Sequence, residues 1–154
     1  MKIAMPDGPR WCWRNIPLPE PHLGLLAGGL ILHRVRPWTL LSKERIRLVS
    51  GCSLIAGGAA LAGWAIRAAG TIHLADPDRL VMDGPYGVSR HPMYTGWTCI
   101  YLGVAFVVNT RWLILLSPVL LALVHFTALT EERELEKRFG SAYRAYKKRV
   151  RRYL

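Results

Sequence analysis

The stretch Asp76-Pro-Asp-Arg-Leu-Val-Met-Asp-Gly-Pro-Tyr-Gly-Val-Ser-Arg-His-Pro-Met-Tyr94 collects titratable side chains in a turn-rich segment that runs straight into an apolar one. Pro92 suits the first turn of a helix, so Arg90 and His91 stand at its mouth, where unpaired N–H groups favour an anion. Further along, Glu131 and Glu132 follow a second apolar run. Folding the two runs as a hairpin brings a basic mouth to face a pair of carboxylates across one short gap. A gap of that kind suits a zwitterion: a carboxylate accepts from an ammonium, and Arg90 or His91 holds the ligand's own carboxylate. The same groups offer proton chemistry, with Glu132 or His91 able to take a proton from an amine nucleophile. Tyr and Arg at a helix mouth also serve simply as interfacial anchors, and the pattern alone leaves that reading open.

The elements that must position these groups are apolar. The chain has 154 residues and a net charge of +11, from 21 Lys+Arg against 10 Asp+Glu, with 51% hydrophobic residues. No charged side chain lies between Leu48 and Ile66 or between Trp112 and Leu129. Runs of about 18 to 20 apolar residues read as membrane spans, which excludes a soluble globular enzyme, a disordered tail and a disulfide scaffold. Cys12, Cys52 and Cys99 are odd in number and scattered, so no disulfide or zinc framework follows. His22, His33 and His73 lack metal-ligand spacing, and His125 inside the fourth run reads as a buried, hydrogen-bonded residue. The first 21 residues carry prolines and charges where a secretory signal needs an unbroken apolar core.

The expected fold is an all-α integral membrane protein: one domain over 1–154, with about four transmembrane helices and a cytoplasmic C-terminal amphipathic helix. The spans are expected at 16–33, 47–67, 93–108 and 112–129, the first being the weakest because its uninterrupted run, Leu23 to Leu32, is short. Ser53/Gly57 and Ala59/Gly63, small residues four apart, predict close packing of the second helix. Pro118 is expected to kink the fourth. Four spans place the N-terminus, the connection before the third span and the C-terminal tail on one side, with fifteen Lys/Arg against six on the other. The positive-inside rule assigns that side, with segments 70–94 and 130–154, to the cytoplasm. Trp11, Trp13, Trp38 and Trp112 read as headgroup-level anchors.

Thr130 is expected to cap a new helix whose first turns hold Glu131, Glu132, Glu134 and Glu136, its basic residues lying downstream. Leu135, Phe139, Tyr143, Tyr146 and Val150 make one apolar stripe along it, and Gly140 is a point at which it breaks in two. Because the aromatic residues lie on that packing stripe, the tail is read as meeting lipid and not nucleic acid. A soluble nucleotide-binding fold is not expected, since no Gly-x-Gly-x-x-Gly follows a strand pattern.

The string Gly84-Pro-Tyr-Gly-Val-Ser-Arg-His-Pro-Met-Tyr-Thr-Gly96, then Glu131-Glu132, then Phe139-Gly140-x-x-Tyr143-x-x-Tyr146-x-x-x-Val150, resembles the isoprenylcysteine carboxyl methyltransferase family. Its relatives include the phospholipid N-methyltransferases. The resemblance covers the C-terminal half by motif and the earlier spans by hydropathy. It implies a membrane methyltransferase using S-adenosylmethionine in a cytoplasmic pocket closed by the loop before the third span and by the C-terminal segment. Carried over, Arg79, Leu80 and Val81 line the adenosyl group, Tyr86 is a pocket residue, His91, Pro92, Met93 and Tyr94 form the central cofactor contact, and Glu131 is a cofactor-binding carboxylate. Arg90, His91 and Glu132 are the expected catalytic residues, with no metal. The acceptor implied is a lipophilic molecule entering from the bilayer, with O-methylation of a carboxylate preferred. Thr127 departs from the pattern, standing where an arginine proposed to hold the substrate carboxylate would align. Alternatives are a phospholipid-type N-methyltransferase, a sterol-reductase-like membrane oxidoreductase with a nicotinamide site, and a non-enzymatic membrane interaction module.

Overall fold

The structure is a computed structural model that describes residues 20–70, 72 and 77–153. The expectations for Trp11, Trp13, Cys12, His73, Asp76 and the start of the first span at 16–19 lie outside those residues. Among the described residues the helices follow in order: α1 (Glu20–Val35), α2 (Glu44–Ala69), α3 (Pro92–Val108), α4 (Arg111–Phe139) and α5 (Ser141–Arg149), with a 3-10 turn at Gly84–Gly87. No strand occurs among the described residues; one isolated parallel bridge joins Ser89 to Arg151.

Two helices, α2 and α4, are long and apolar enough to cross a membrane by length and composition, and α3 is a shorter apolar helix. Only 22% of each long helix's apolar window is buried inside the protein. Leu115, Val119, Leu121 and Phe126 all lie on the outside of α4, with Phe126 65% exposed. A core helix of a soluble protein would bury that surface, and an apolar face left open on this scale marks a contact with lipid or protein.

The contact between α2 and α3 is built on glycine, but not on the expected pairs. Gly51 and Gly58 of α2 oppose Gly103 and Gly96 of α3; a Cβ added at Gly58 would sit 2.5 Å from the Gly96 carbonyl oxygen, and one at Gly103 would sit 2.7 Å from that of Gly51. The backbones therefore touch at two points seven residues apart on each helix. Gly57 and Gly63 meet nothing within 4 Å, and Ser53 and Ala59 are exposed. The reason is register: the buried face of α2 is Gly51, Gly58, Ala62, Ala65 and Ala69, and the four-apart pairs fall on other faces of the same helix.

A second correction concerns α4. Thr130 does not start a helix: its hydroxyl donates back to the Phe126 carbonyl oxygen, and α4 runs through it to Phe139. The cap of α4 is Thr110, whose side chain accepts from the Trp112 N–H. With no chain-breaking residue between Leu129 and Phe139, the charged turns extend the apolar helix. The helix also passes through Pro118. Proline leaves the carbonyl four residues back without its usual donor, and here the Ser117 hydroxyl donates to that oxygen, on Ile114, at 2.7 Å. The break comes at Gly140, with φ of 54°, a left-handed backbone that glycine adopts without a Cβ penalty. It turns α5 so that Tyr143 and Tyr146 are buried.

Candidate active site

The charged groups anticipated on either side of a gap are in contact. Glu132, with a side chain 2% exposed, accepts from His91 Nε2 at 3.3 Å and lies 3.1 Å from Arg90 Nη1. Arg152 grips the same carboxylate with two nitrogens, Nε at 2.8 Å from Oε1 and Nη2 at 3.1 Å from Oε2. Burial works against ionisation of Glu132, but the hydrogen bonds from His91 and Arg152 and the charges of Arg90 and Arg152 outweigh it and hold the carboxyl down to about 2. A carboxylate so committed is a poor proton acceptor at neutral pH.

Glu131 differs. Its side chain is 44% exposed; Tyr94 donates to Oε1, and His91 Nδ1 lies 3.5 Å from Oε2. His91 thus bridges the two carboxylates while its ring stacks on Tyr94, centroids 5.6 Å apart. Helical geometry explains the arrangement. His91 is the residue before the proline that starts α3, Tyr94 is one turn further on the same face, and Glu131 and Glu132 leave α4 at the level of that turn.

The loop before α3 is fixed by the end of the chain. Arg90 N–H donates to the Arg151 carbonyl at 2.8 Å, His91 N–H to that of Arg152 at 3.3 Å, and Ser89 Oγ to Arg152 at 3.1 Å. Tyr146 donates to the Tyr86 carbonyl at 2.7 Å, which ties the 3-10 turn to α5. The sequence reading missed Ser89, Arg152 and Tyr153. Ser89 lay inside the motif, but nothing distinguished Arg152 from the eight other basic residues of the tail.

Two cavities flank the charged cluster. One, about 70 Å³, is lined by Arg79, Leu80, Val81, Tyr86 and Arg90, with Tyr143 and Tyr146 of α5 across from them. Arg79, Leu80 and Val81, expected around an adenosyl group, are thereby brought together with Tyr86, expected in the pocket, while Pro92 and Met93 are buried in α3. The Arg90 side chain is 8% exposed, and its Nε has no hydrogen-bond partner among the described residues. Burial, then the Glu132 charge, pushes the Tyr143 hydroxyl up to about 12, and burial raises Tyr86 and Tyr146 as well. All three stay neutral donors. The other cavity, about 410 Å³, lies between α3 and α4 and includes Tyr94, Thr98, Cys99 and His125. His22, buried on α1, reaches Thr98 Oγ1 through Nε2 at 3.1 Å.

No cluster of metal-ligating side chains occurs among the described residues. No curated protein and no solved structure matches the chain. The phospholipid methyltransferase profile matches residues 46–142, which takes in α2, the Arg-His-Pro mouth, the paired glutamates and the Gly140 break. A helical bundle with outward apolar faces and a charged knot at one end is thus that of a member of the phospholipid methyltransferase family, the integral-membrane methyltransferases that include isoprenylcysteine-carboxyl-methyltransferase-like enzymes.

Proposed function

We propose that the protein is a multi-pass membrane methyltransferase that uses S-adenosylmethionine and acts on a lipophilic acceptor, with the cofactor bound at the cytoplasmic end of the helices. The observation that carries this reading is the buried Arg90 guanidinium. Arg90 lines the cavity shared by the Arg79 to Val81 loop and the tyrosines of α5, and its buried Nε has no hydrogen-bond partner among the described residues. A buried donor without an acceptor is costly, and a ligand carboxylate satisfies it. Glu131, still part-exposed beside the cluster, is the group left to accept from the cofactor's ammonium. Once bound, S-adenosylmethionine supplies a methyl group on a sulfonium, so this chain's residues need only bind, orient and exclude water.

Glu132, fully engaged by Arg90, His91 and Arg152, holds the cluster together instead of taking a proton. O-methylation of a carboxylate calls for a cation beside the acceptor. Thr127 supplies none: it is exposed, and its hydroxyl donates to the Leu123 carbonyl at 3.0 Å. Charge supports a cytoplasmic site, with twelve Lys/Arg on Arg67, Arg79, Arg90 and the tail against six at the other end of the helices.

Titration calorimetry of the detergent-solubilised protein with S-adenosylmethionine and its demethylated product tests the proposal. Micromolar binding is expected. Glu131→Gln should weaken it roughly thirty-fold, a loss of about 2 kcal/mol at the low end for a charge-assisted pair because Glu131 is partly solvated. Absence of heat at millimolar cofactor would sink the reading.

A further inference from the structure

The cavity of about 410 Å³ between α3 and α4 is closed at its inner end by Tyr94, which donates to Glu131, and by Tyr153 of the C-terminal segment. Tyr153 OH and His125 Nδ1 are hydrogen-bonded at 3.2 Å, and their rings lie 6.1 Å apart. Tyr153 also faces His91, with centroids 6.3 Å apart, so the polar rim of the cavity abuts the charged cluster. Deeper along the helices the walls are Cys99 and Leu121, with Thr98 already engaged by His22. We propose that this cavity is the acceptor site, that Tyr153 and His125 determine its selectivity, and that it takes a lipophilic molecule whose reacting head is uncharged. The proposal rests on the methyltransferase reading of the neighbouring cluster.

Charge decides the class of acceptor. No Lys or Arg lines the cavity, and the closest by sequence, Arg152, spends two nitrogens on Glu132. An anionic head would leave water for an apolar space in which the chain itself supplies no cation, beside the Glu131 carboxylate behind Tyr94. A hydroxyl, thiol or neutral amine instead meets a tyrosine and a histidine, which together offer a donor and an acceptor. Methylation of such a head replaces its hydrogen with the methyl carbon and turns the sulfonium into a thioether. The proton released has the His125 imidazole, on the cavity wall, to receive it. Tyr153 lies beyond the stretch matched by the family profile.

Cys99 provides a readout that needs no turnover. In a Cys12→Ser, Cys52→Ser background, the rate at which N-ethylmaleimide alkylates Cys99 reports whether the cavity is filled. Decanol and decanoate, at equal mole fraction in detergent micelles, are the probes. Decanol should slow alkylation at least five-fold where decanoate slows it less than two-fold. Tyr153→Ala should abolish the decanol effect, and Tyr153→Phe, which keeps the wall but loses the hydrogen bond to His125, should reduce it. Protection by decanoate equal to that by decanol, or protection unchanged in Tyr153→Ala, would overturn the proposal. Calorimetry with S-adenosylmethionine on the same samples separates the two readings: a failure there removes the cofactor assignment, whereas Cys99 protection alone decides the acceptor cavity.

Discussion

The two ends of the α3 and α4 hairpin are closed by opposite means. At the turn, Asn109 takes a left-handed φ of 61° and its Oδ1 accepts from the backbone N–H groups of Leu40 and Leu41, at 3.0 and 2.9 Å. Nearby, Trp112 Nε1 donates to the Arg36 carbonyl, and the Arg47 guanidinium caps the last carbonyls of α3 at Phe106 and Val107. Backbone groups are satisfied there one by one, and an ion pair nearby is the contact of Arg47 with the exposed Glu44 at 3.9 Å. At the opposite end, three cationic or titratable side chains converge on one buried carboxylate. The contrast teaches that the turn satisfies neutral polar groups pair by pair, whereas the charged end buries an ion cluster whose desolvation costs stability.

That contrast can be broken most forcefully at Glu132. Glu132→Gln leaves Arg90 and Arg152 without their shared counter-charge, and loss of one member of a buried ion cluster costs about 3 to 5 kcal/mol. The expected result is a large fall in thermal stability in detergent together with loss of cofactor binding. Wild-type stability would show that the cluster is not buried in solution.

A smaller but still large effect is expected at the glycine contact that holds both ends in place. Gly58→Val pushes a branched side chain into the Gly96 backbone. Overpacking costs about 1 to 3 kcal/mol where neighbours can yield, and more against backbone. Gly57→Val, on a face that meets nothing, should leave folded yield unchanged, so the pair of variants measures the register directly.

At the turn, Asn109→Ala loses two accepted hydrogen bonds and tolerance of the left-handed backbone, a cost of about 1 to 2 kcal/mol. Asn109→Gly restores only the second, and should recover part of the stability. Cofactor affinity should not move in either variant; a tenfold change would mean that the two ends are coupled.

Acid titration gives the mildest test. The Glu132 carboxyl is held down to about 2, well below its ordinary value near 4.5. Its contribution is therefore present above pH 4.5 and is lost as the pH falls from there toward 2. Melting temperatures should drop across that window in the wild type, and the drop should be smaller in Glu132→Gln. The turn variants should keep the wild-type profile.

The sequence made α2, α3, the Pro92 helix start and the Gly140 break legible, because uninterrupted apolar runs and chain-breaking residues act locally. It also brought the Arg90 mouth to the paired glutamates, since a short turn leaves a hairpin no other arrangement. The glycine register was not legible: both Gly57 and Gly58 fit a small-residue pattern, and only the partner helix selects between them. Nor was the end of α4, where a change from apolar to charged side chains looked like a boundary although the backbone had no reason to stop. Arg152 and Tyr153 are joined to the site by contacts with residues distant in the chain, Glu132 and His91 for Arg152 and His125 and His91 for Tyr153, which no local pattern encodes.

The bridge between Ser89 and Arg151 also sets a timetable. Translation proceeds at about 5 to 20 residues per second, so the loop that bears Arg90 and His91 exists for several seconds before the segment that fastens it has been made. Throughout that interval α3, α4 and α5 are themselves being made, so the charged cluster forms only after they and Arg152 have followed. A chain stalled before Arg151 would lack both the carbonyls that hold the Arg90 and His91 backbone and the Arg152 guanidinium on Glu132.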